Sequence, residues 1–190
     1  MRNYSPPQPR GSFPALARTG SILMVFIFTA MAFDDQSHAD IERRVNDVLS
    51  RMTLDEKIGQ MSQSTSMATP LSAAIQEEIR RGRWGSFLNA GSPADRAEAQ
   101  RIARHESRLG IPLLFGRDAI HGYRTIFPIP LGQAASWDPA LIEQAARTAA
   151  IEAATEGIRW TFAPMVDIAR DPRWGRIAES PGEDPYVAAI

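Results

Sequence analysis

The stretch "IPLLFGRDAIHG", Ile111 to Gly122, decides how this chain is read as a fold. A short apolar run bounded by proline and glycine predicts a buried strand rather than a helix, and it stops at Arg117-Asp118. Working outward, "WGSFLN" (Trp84 to Asn89) is another short apolar run, and Ser92-Pro93 supplies an N-cap and a first-turn residue for a helix reaching about Leu109. On the other side, Asp138-Pro139 caps a long alanine-rich helix that ends at Gly157, and "IRWTFAPMVDIA" (Ile158 to Ala169) predicts a third strand. Earlier still, Thr53 with Glu56 forms a capping box for a helix through Met61. A polar Ser/Thr/Met loop and a helix near Leu71 to Arg81 come next, and "SPGE" (Ser180 to Glu183) predicts a capping box for a last helix.

Strands alternating with helices are the signature of parallel βαβ units. An open doubly wound sheet and an eightfold barrel both use that rhythm. Neither strand-to-helix junction carries a G-x-G-x-x-G or P-loop, so the usual dinucleotide and nucleoside-triphosphate signatures are missing. Instead Asp118 closes the second strand and the charged segment Asp167 to Glu183 follows the third. Barrels place their chemistry on loops at the carboxyl ends of strands, which is where both clusters fall.

Composition narrows the partners. The chain has 190 residues, 44% of them hydrophobic, and a formal net charge of -1; it offers no basic surface for nucleic acid. With no cysteine, disulfides, thiolate metal sites and cysteine nucleophiles are excluded. His38, His105 and His121 fit no metal-ligand spacing, and no metal or cofactor is expected.

The amino terminus is of another kind. Arg2, Arg10 and Arg18 precede "ILMVFIFTAMAF", Ile22 to Phe33, a run shorter than the roughly 20 residues needed to span a bilayer. "SHA" (Ser37 to Ala39) places small residues where a signal-peptide cleavage site needs them. The expectation is a signal peptide over 1–39, export to the periplasm or medium, and no membrane partner after cleavage; the alternative is an uncleaved anchor. The domain then covers 40–190, and Ile41, Val45, Val48, Leu49 and Met52 share one face of its first helix. That leaves 190 - 39 = 151 residues, against about 250 for a complete barrel. The expected fold is therefore α/β, an incomplete (β/α)8 TIM-type barrel of about three βα units preceded by a signal peptide and amino-terminal helices.

Five motifs in order, "RMTLDEKIGQM", "GRDAIHG", "TIFPIPLG", "ASWDP" and "APMVDIARDPRWGRIAESPGEDP", resemble the amino-terminal domain of family 3 glycoside hydrolases, in particular exported bacterial β-glucosidases. The resemblance runs from about Ile41 to Ile190. It implies hydrolysis of O-glycosyl bonds with retention, releasing terminal nonreducing β-D-glucose from a β-glucoside or oligosaccharide; β-xylosidase is the alternative within the family, and a β-N-acetylhexosaminidase fits the arginine segment less well. It assigns Asp118 and Arg176 to the sugar in subsite -1.

That assignment is chemically sensible. A carboxylate can accept hydrogen bonds from two neighbouring hydroxyls and a guanidinium can donate to two, and charged partners make the stronger bonds. Without the motif, Asp118 would read as a helix cap or ion-pair partner. Arg173 and Arg176 would read as structural partners of Glu179, Glu183 or Asp184. With the motif, Arg176 is expected to face the pocket, while Arg173, Glu179 and Glu183 brace the loop and His121 shapes the turn after Asp118. Trp84, Trp137 and Trp160 are expected in the core, and Arg117 has no packing rationale.

A retaining glycosidase needs two carboxyl groups roughly 5–5.5 Å apart, one as nucleophile and one as acid/base. The resemblance places both beyond Ile190, so no catalytic residue is expected in this chain, and the missing carboxyl-terminal part of the same polypeptide is an expected partner. The other reading is a short product, non-catalytic, with at most weak sugar binding. A barrel enzyme of another chemistry, such as a sugar-phosphate isomerase, would need a phosphate-binding loop that the sequence lacks.

Overall fold

The computed structural model describes residues 38–190; the apolar run at 22–33 and its arginine-bearing flank lie outside the described residues. The chain separates into two units, Met1–Arg51 and Met52–Ile190. The described part of the first is helix α1 over 38–51, in which Arg43 pairs with Asp40 and Arg51 with Asp47 one turn away. No helix among the described residues is long and apolar enough to cross a membrane.

The second unit is α/β. Helix α2 (Leu54–Met61) starts at the predicted capping box: the Thr53 hydroxyl accepts from the Glu56 amide and the Glu56 carboxylate accepts from the Thr53 amide. Strand β1 (Gln63–Ser64), helix α3 (Ala73–Arg80), strand β2 (Ser86–Leu88), helix α4 (Pro93–His105) and strand β3 (Leu114–Arg117) follow. After them come the short helix α5 (Pro130–Ala134), the long helix α6 (Pro139–Thr155), strand β4 (Trp160–Thr161), a 3-10 turn (Ile177–Glu179) and helix α7 (Pro185–Ala189). The four strands are parallel in the order β1-β2-β3-β4. A doubly wound sheet reverses its strand order at a switch point; this one advances one neighbour at a time, as barrel strands do.

Three sequence expectations need correction. Among the described residues four strands are present rather than three, because the polar segment after Met61 contributes β1. Its pairing is carried by backbone bonds and by Gln63 Nε2 donating to Ser86 Oγ at 3.2 Å, so it shows no apolar alternation. The third expected strand shrinks to Trp160–Thr161, since its partner β3 ends at Arg117 and Pro164 has no N–H to continue a ladder. "SPGE" is not a helix cap. Asp184 caps α7 by accepting from the Tyr186 amide, and Ser180 is a fully buried loop pin.

The core lies between the sheet and helices α3 and α4. Phe87 and Phe115, opposite each other on β2 and β3, stack with ring centroids 6.0 Å apart. Ile79, Ala99, Ile102 and Ala103 cover them, with Met67, Leu71 and Leu113 closing the cluster. Buried Asp95 ties the layers together. It completes the α4 capping box with Ser92 and also accepts from Thr69 Oγ1 at 2.7 Å and the Leu71 amide at 2.9 Å. Those bonds, led by the Ser92 hydroxyl, hold its pKa down at about 2. Of the three tryptophans expected inside, Trp84 packs on this core, but Trp137 is 69% exposed and Trp160 lies on the open sheet face against Phe162, centroids 4.6 Å apart.

Candidate functional site

Because the strands run parallel, their carboxyl ends share one rim, and the polar residues gather there. Strand β2 ends into Asn89, β3 into Asp118, and β4 into the long segment holding Asp167 and Arg176.

Asp118 is held from the neighbouring strand. Asn89 Nδ2 donates to Asp118 Oδ2 at 2.6 Å, and the Asp118 amide donates to Asn89 Oδ1 at 3.0 Å. Carboxylate oxygen Oδ1 takes no hydrogen bond from the described residues. The loop beyond is cross-braced. His121 Nδ1 lies 3.2 Å from the Phe127 carbonyl, and the Phe127 amide donates to the His121 carbonyl at 2.8 Å. Gly122 sits at φ +117 in this turn, where a Cβ would stand 2.0 Å from the Thr125 carbonyl oxygen. Arg117 lies 5.6 Å over the Tyr123 ring, a cation–π contact that supplies its packing rationale.

Two carboxylates, Glu152 in the last turn of α6 and Glu156 at its C-cap, clamp the same loop. Glu152 accepts from the amides of Arg124 and Thr125, at 2.8 and 2.9 Å, and from Thr125 Oγ1 at 2.6 Å. Thr125 holds its carboxyl below the usual range. Glu156 accepts from the Tyr123 hydroxyl, from Arg124 and from Arg96 Nη2, the last at 3.0 Å. The Tyr123 hydroxyl is the chief cause of its lowered pKa, while burial pushes the Tyr123 phenol up. Arg96 is buried and also donates to the Glu156 carbonyl at 3.0 Å and the Gly91 carbonyl at 2.6 Å. One ion pair thus joins the turn after β2 to the end of α6 and, through Tyr123, to the loop after Asp118.

The segment after β4 folds back on itself. Ser180 Oγ donates to the Asp167 carbonyl at 2.6 Å, and the Ala169 amide to the Gly182 carbonyl at 3.0 Å, closing the loop that carries both arginines. Arg176 pairs with Glu179 through Nε at 3.2 Å and Nη2 at 2.7 Å, leaving Nη1 outside that pair. Its pKa is raised, first by the hydrogen-bonded Glu179 carboxylate. Arg173 pairs with Asp171 at 2.6 Å rather than with Glu179, Glu183 or Asp184, and its side chain is 88% exposed. The fork of Arg173 is thus spent within its own turn, two residues from its origin. Glu183 is exposed and joins no ion pair among the described residues. Glu179 braces Arg176, not Arg173.

Sequence reading passed over Asn89, Arg96, Tyr123, Glu152 and Glu156. The one local signal was at Asn89, a residue tolerant of left-handed backbone placed directly after an apolar run; the others work across 27 to 60 residues of chain. Among the described residues no three His, Asp or Glu side chains converge as a metal shell.

Comparison with known proteins gives a consistent result. The family described as "Glycosyl hydrolase family 3 N terminal domain" matches residues 53–190. The chain is 44% identical over 146 residues to a periplasmic beta-glucosidase of Salmonella typhimurium, covering 77% of this chain and 19% of that protein. It is 29% identical to a beta-xylosidase of Formosa agariphila, covering 88% of this chain and 20% of that one. The crystal structure of a Listeria innocua beta-glucosidase in complex with glucose superposes with a TM-score of 0.67 at 40% identity, covering 77% of this chain and 22% of that one. The chain thus spans about a fifth of the length of these relatives.

Proposed function

Since the chain belongs to the glycosyl hydrolase family 3 N terminal domain family, we propose that its carboxyl-end rim is part of the nonreducing-sugar subsite of an exported, retaining β-glucosidase. The observation that carries this reading is the placement of Asp118 and Arg176. They stand on loops after neighbouring strands β3 and β4, at the same carboxyl-end rim. A carboxylate with one oxygen open and a guanidinium with Nη1 outside its ion pair suit a ring of hydroxyls, which both donate and accept. Asp167, His121, Glu179 and the Glu152–Glu156 clamp hold those groups in place. Arg173 and Glu183 remain proposed loop supports on the family resemblance alone.

In this reading the domain is the first part of a (β/α)8 barrel. The catalytic pair, a carboxylate nucleophile and an acid/base roughly 5–5.5 Å apart in a retaining enzyme, belongs to the rest of a polypeptide of the relatives' length. This chain by itself would be inactive. Export rests on the leader-like 1–39 segment and on the periplasmic relative. A crystal of the full-length polypeptide with glucose tests the site. Both groups should lie within about 3.2 Å of sugar hydroxyls; Asp118 and Arg176 turned away from the sugar would end the assignment. A β-xylosidase is the second reading, favoured by the Formosa agariphila relative. The ratio of kcat/KM for aryl β-glucoside and aryl β-xyloside separates the two.

A further inference from the structure

Asn89 lies outside every motif that pointed to the sugar site, yet it makes the closest contacts to Asp118. We propose that Asn89 is a positioning residue that presents the Asp118 carboxylate to the substrate, a role that rests on the sugar-binding reading of Asp118. Three requirements meet at this position. The backbone is left-handed, φ +54, a conformation that asparagine adopts far more readily than most residues with a side chain. The Asn89 amide donates to the Gly116 carbonyl at 3.0 Å, pinning the turn onto β3 two residues before Asp118. The side-chain amide then works in both directions, accepting from the Asp118 backbone and donating to its carboxylate.

The outcome is a carboxylate held at both its root and its tip. One oxygen is engaged and the other open, so less side-chain freedom remains to be lost when a sugar binds. Glycine, aspartate and alanine each fail at least one of these demands. Glycine takes the backbone conformation but makes neither side-chain bond. Aspartate keeps the backbone tolerance and the acceptor but sets a second anion where the donor stands. Alanine makes no side-chain bond and strains the backbone.

The test is a double-mutant cycle in the full-length polypeptide, read as kcat/KM on an aryl β-glucoside. Asn89→Gly should lower kcat/KM by roughly 10- to 100-fold, the range for losing a hydrogen bond to a charged group. Asn89→Asp should be at least as impaired. In an Asp118→Asn background, adding Asn89→Gly should cost no more than about threefold, because the group it positions is already disabled. If Asn89→Gly lowers the melting temperature, Asn89→Asp carries the same cycle. Losses that multiply in the double variant, or an unimpaired Asn89→Gly beside an impaired Asp118→Asn, overturn the positioning role and leave the sugar site standing. An Asp118→Asn enzyme with wild-type kinetics removes the sugar site itself, and the positioning role with it.

Discussion

In the proposed sugar site, Asp118 acts through its charge and not through its shape alone. Asparagine in its place keeps the volume and an acceptor for Asn89, but it loses the charge that strengthens bonds from sugar hydroxyls. In the full-length polypeptide, Asp118→Asn should raise the barrier by roughly 2–4 kcal/mol, since such a contact tightens in the transition state. Steady-state kinetics would show kcat/KM reduced roughly 30- to 1,000-fold; unchanged kinetics would remove Asp118 from the site. Arg176 is a more divided residue. One edge of its guanidinium is committed to Glu179, so the ion pair first read as the alternative to sugar binding leaves Nη1 outside it among the described residues, open to the proposed role. An arginine can serve both because its five donors sit in a fixed fork.

Among the elements, the loop from Asp118 to Pro128 depends most on others. Its shape rests on Gly122, on the His121–Phe127 bonds and on the two glutamates at the end of α6. Gly122→Ala would drive a Cβ into the Thr125 carbonyl from a left-handed backbone. The expected cost is at least about 1–3 kcal/mol, measurable by urea denaturation of the full-length polypeptide, with affinity at the proposed sugar site falling alongside. Helix α4 gives a pH-dependent counterpart. The folded Asp95 carboxyl titrates at about 2, below its ordinary 3.8. Its contribution is therefore complete above the ordinary value and is lost as pH falls through about 2. Glu56 behaves alike, lowered from 4.5 to about 2, chiefly by its hydrogen bond from Arg108. Amide exchange of Leu71, which donates to Asp95, should lose protection as pH drops through that window. A protection factor flat across it would show that the Asp95 tether does not act as described.

At the scale of the whole molecule, the second unit is finished on one side of its sheet only. Helices α3 and α4 bury Phe87 and Phe115, whereas Leu114, Trp160 and Phe162 stay open to solvent, beside a depression lined by Gln63, Ser86, Leu114 and Trp160. Among the described residues, strands β1 and β4 each leave an unpaired edge. Exposed apolar faces and bare edges promote association. Residues 40–190 alone should therefore elute in gel filtration as aggregates, or melt without a cooperative transition. A monomer with a sharp thermal midpoint would contradict this. In the barrel proposed above, further strands would pair with these edges and fill the open face.

The sequence by itself determined what depends on near neighbours. The capping box at Thr53–Glu56, the N-caps at Ser92 and Asp138 and the apolar run of β3 are each set within a few residues. The motifs around Asp118 and Arg176 were likewise legible as local strings. Only the tertiary structure decided that Asn89 rather than a motif residue holds Asp118, that Arg96 and Glu156 bind two loops together across 60 residues, and that a polar dipeptide forms β1. It also decided that Ser180 is a buried pin and not a helix cap, and that Trp137 and Trp160 lie outside the core. The physical reason is the same in each case. A hydrogen bond or ion pair between distant segments leaves no periodicity in the chain, because its partners meet only once the sheet has brought their strand ends to a common rim.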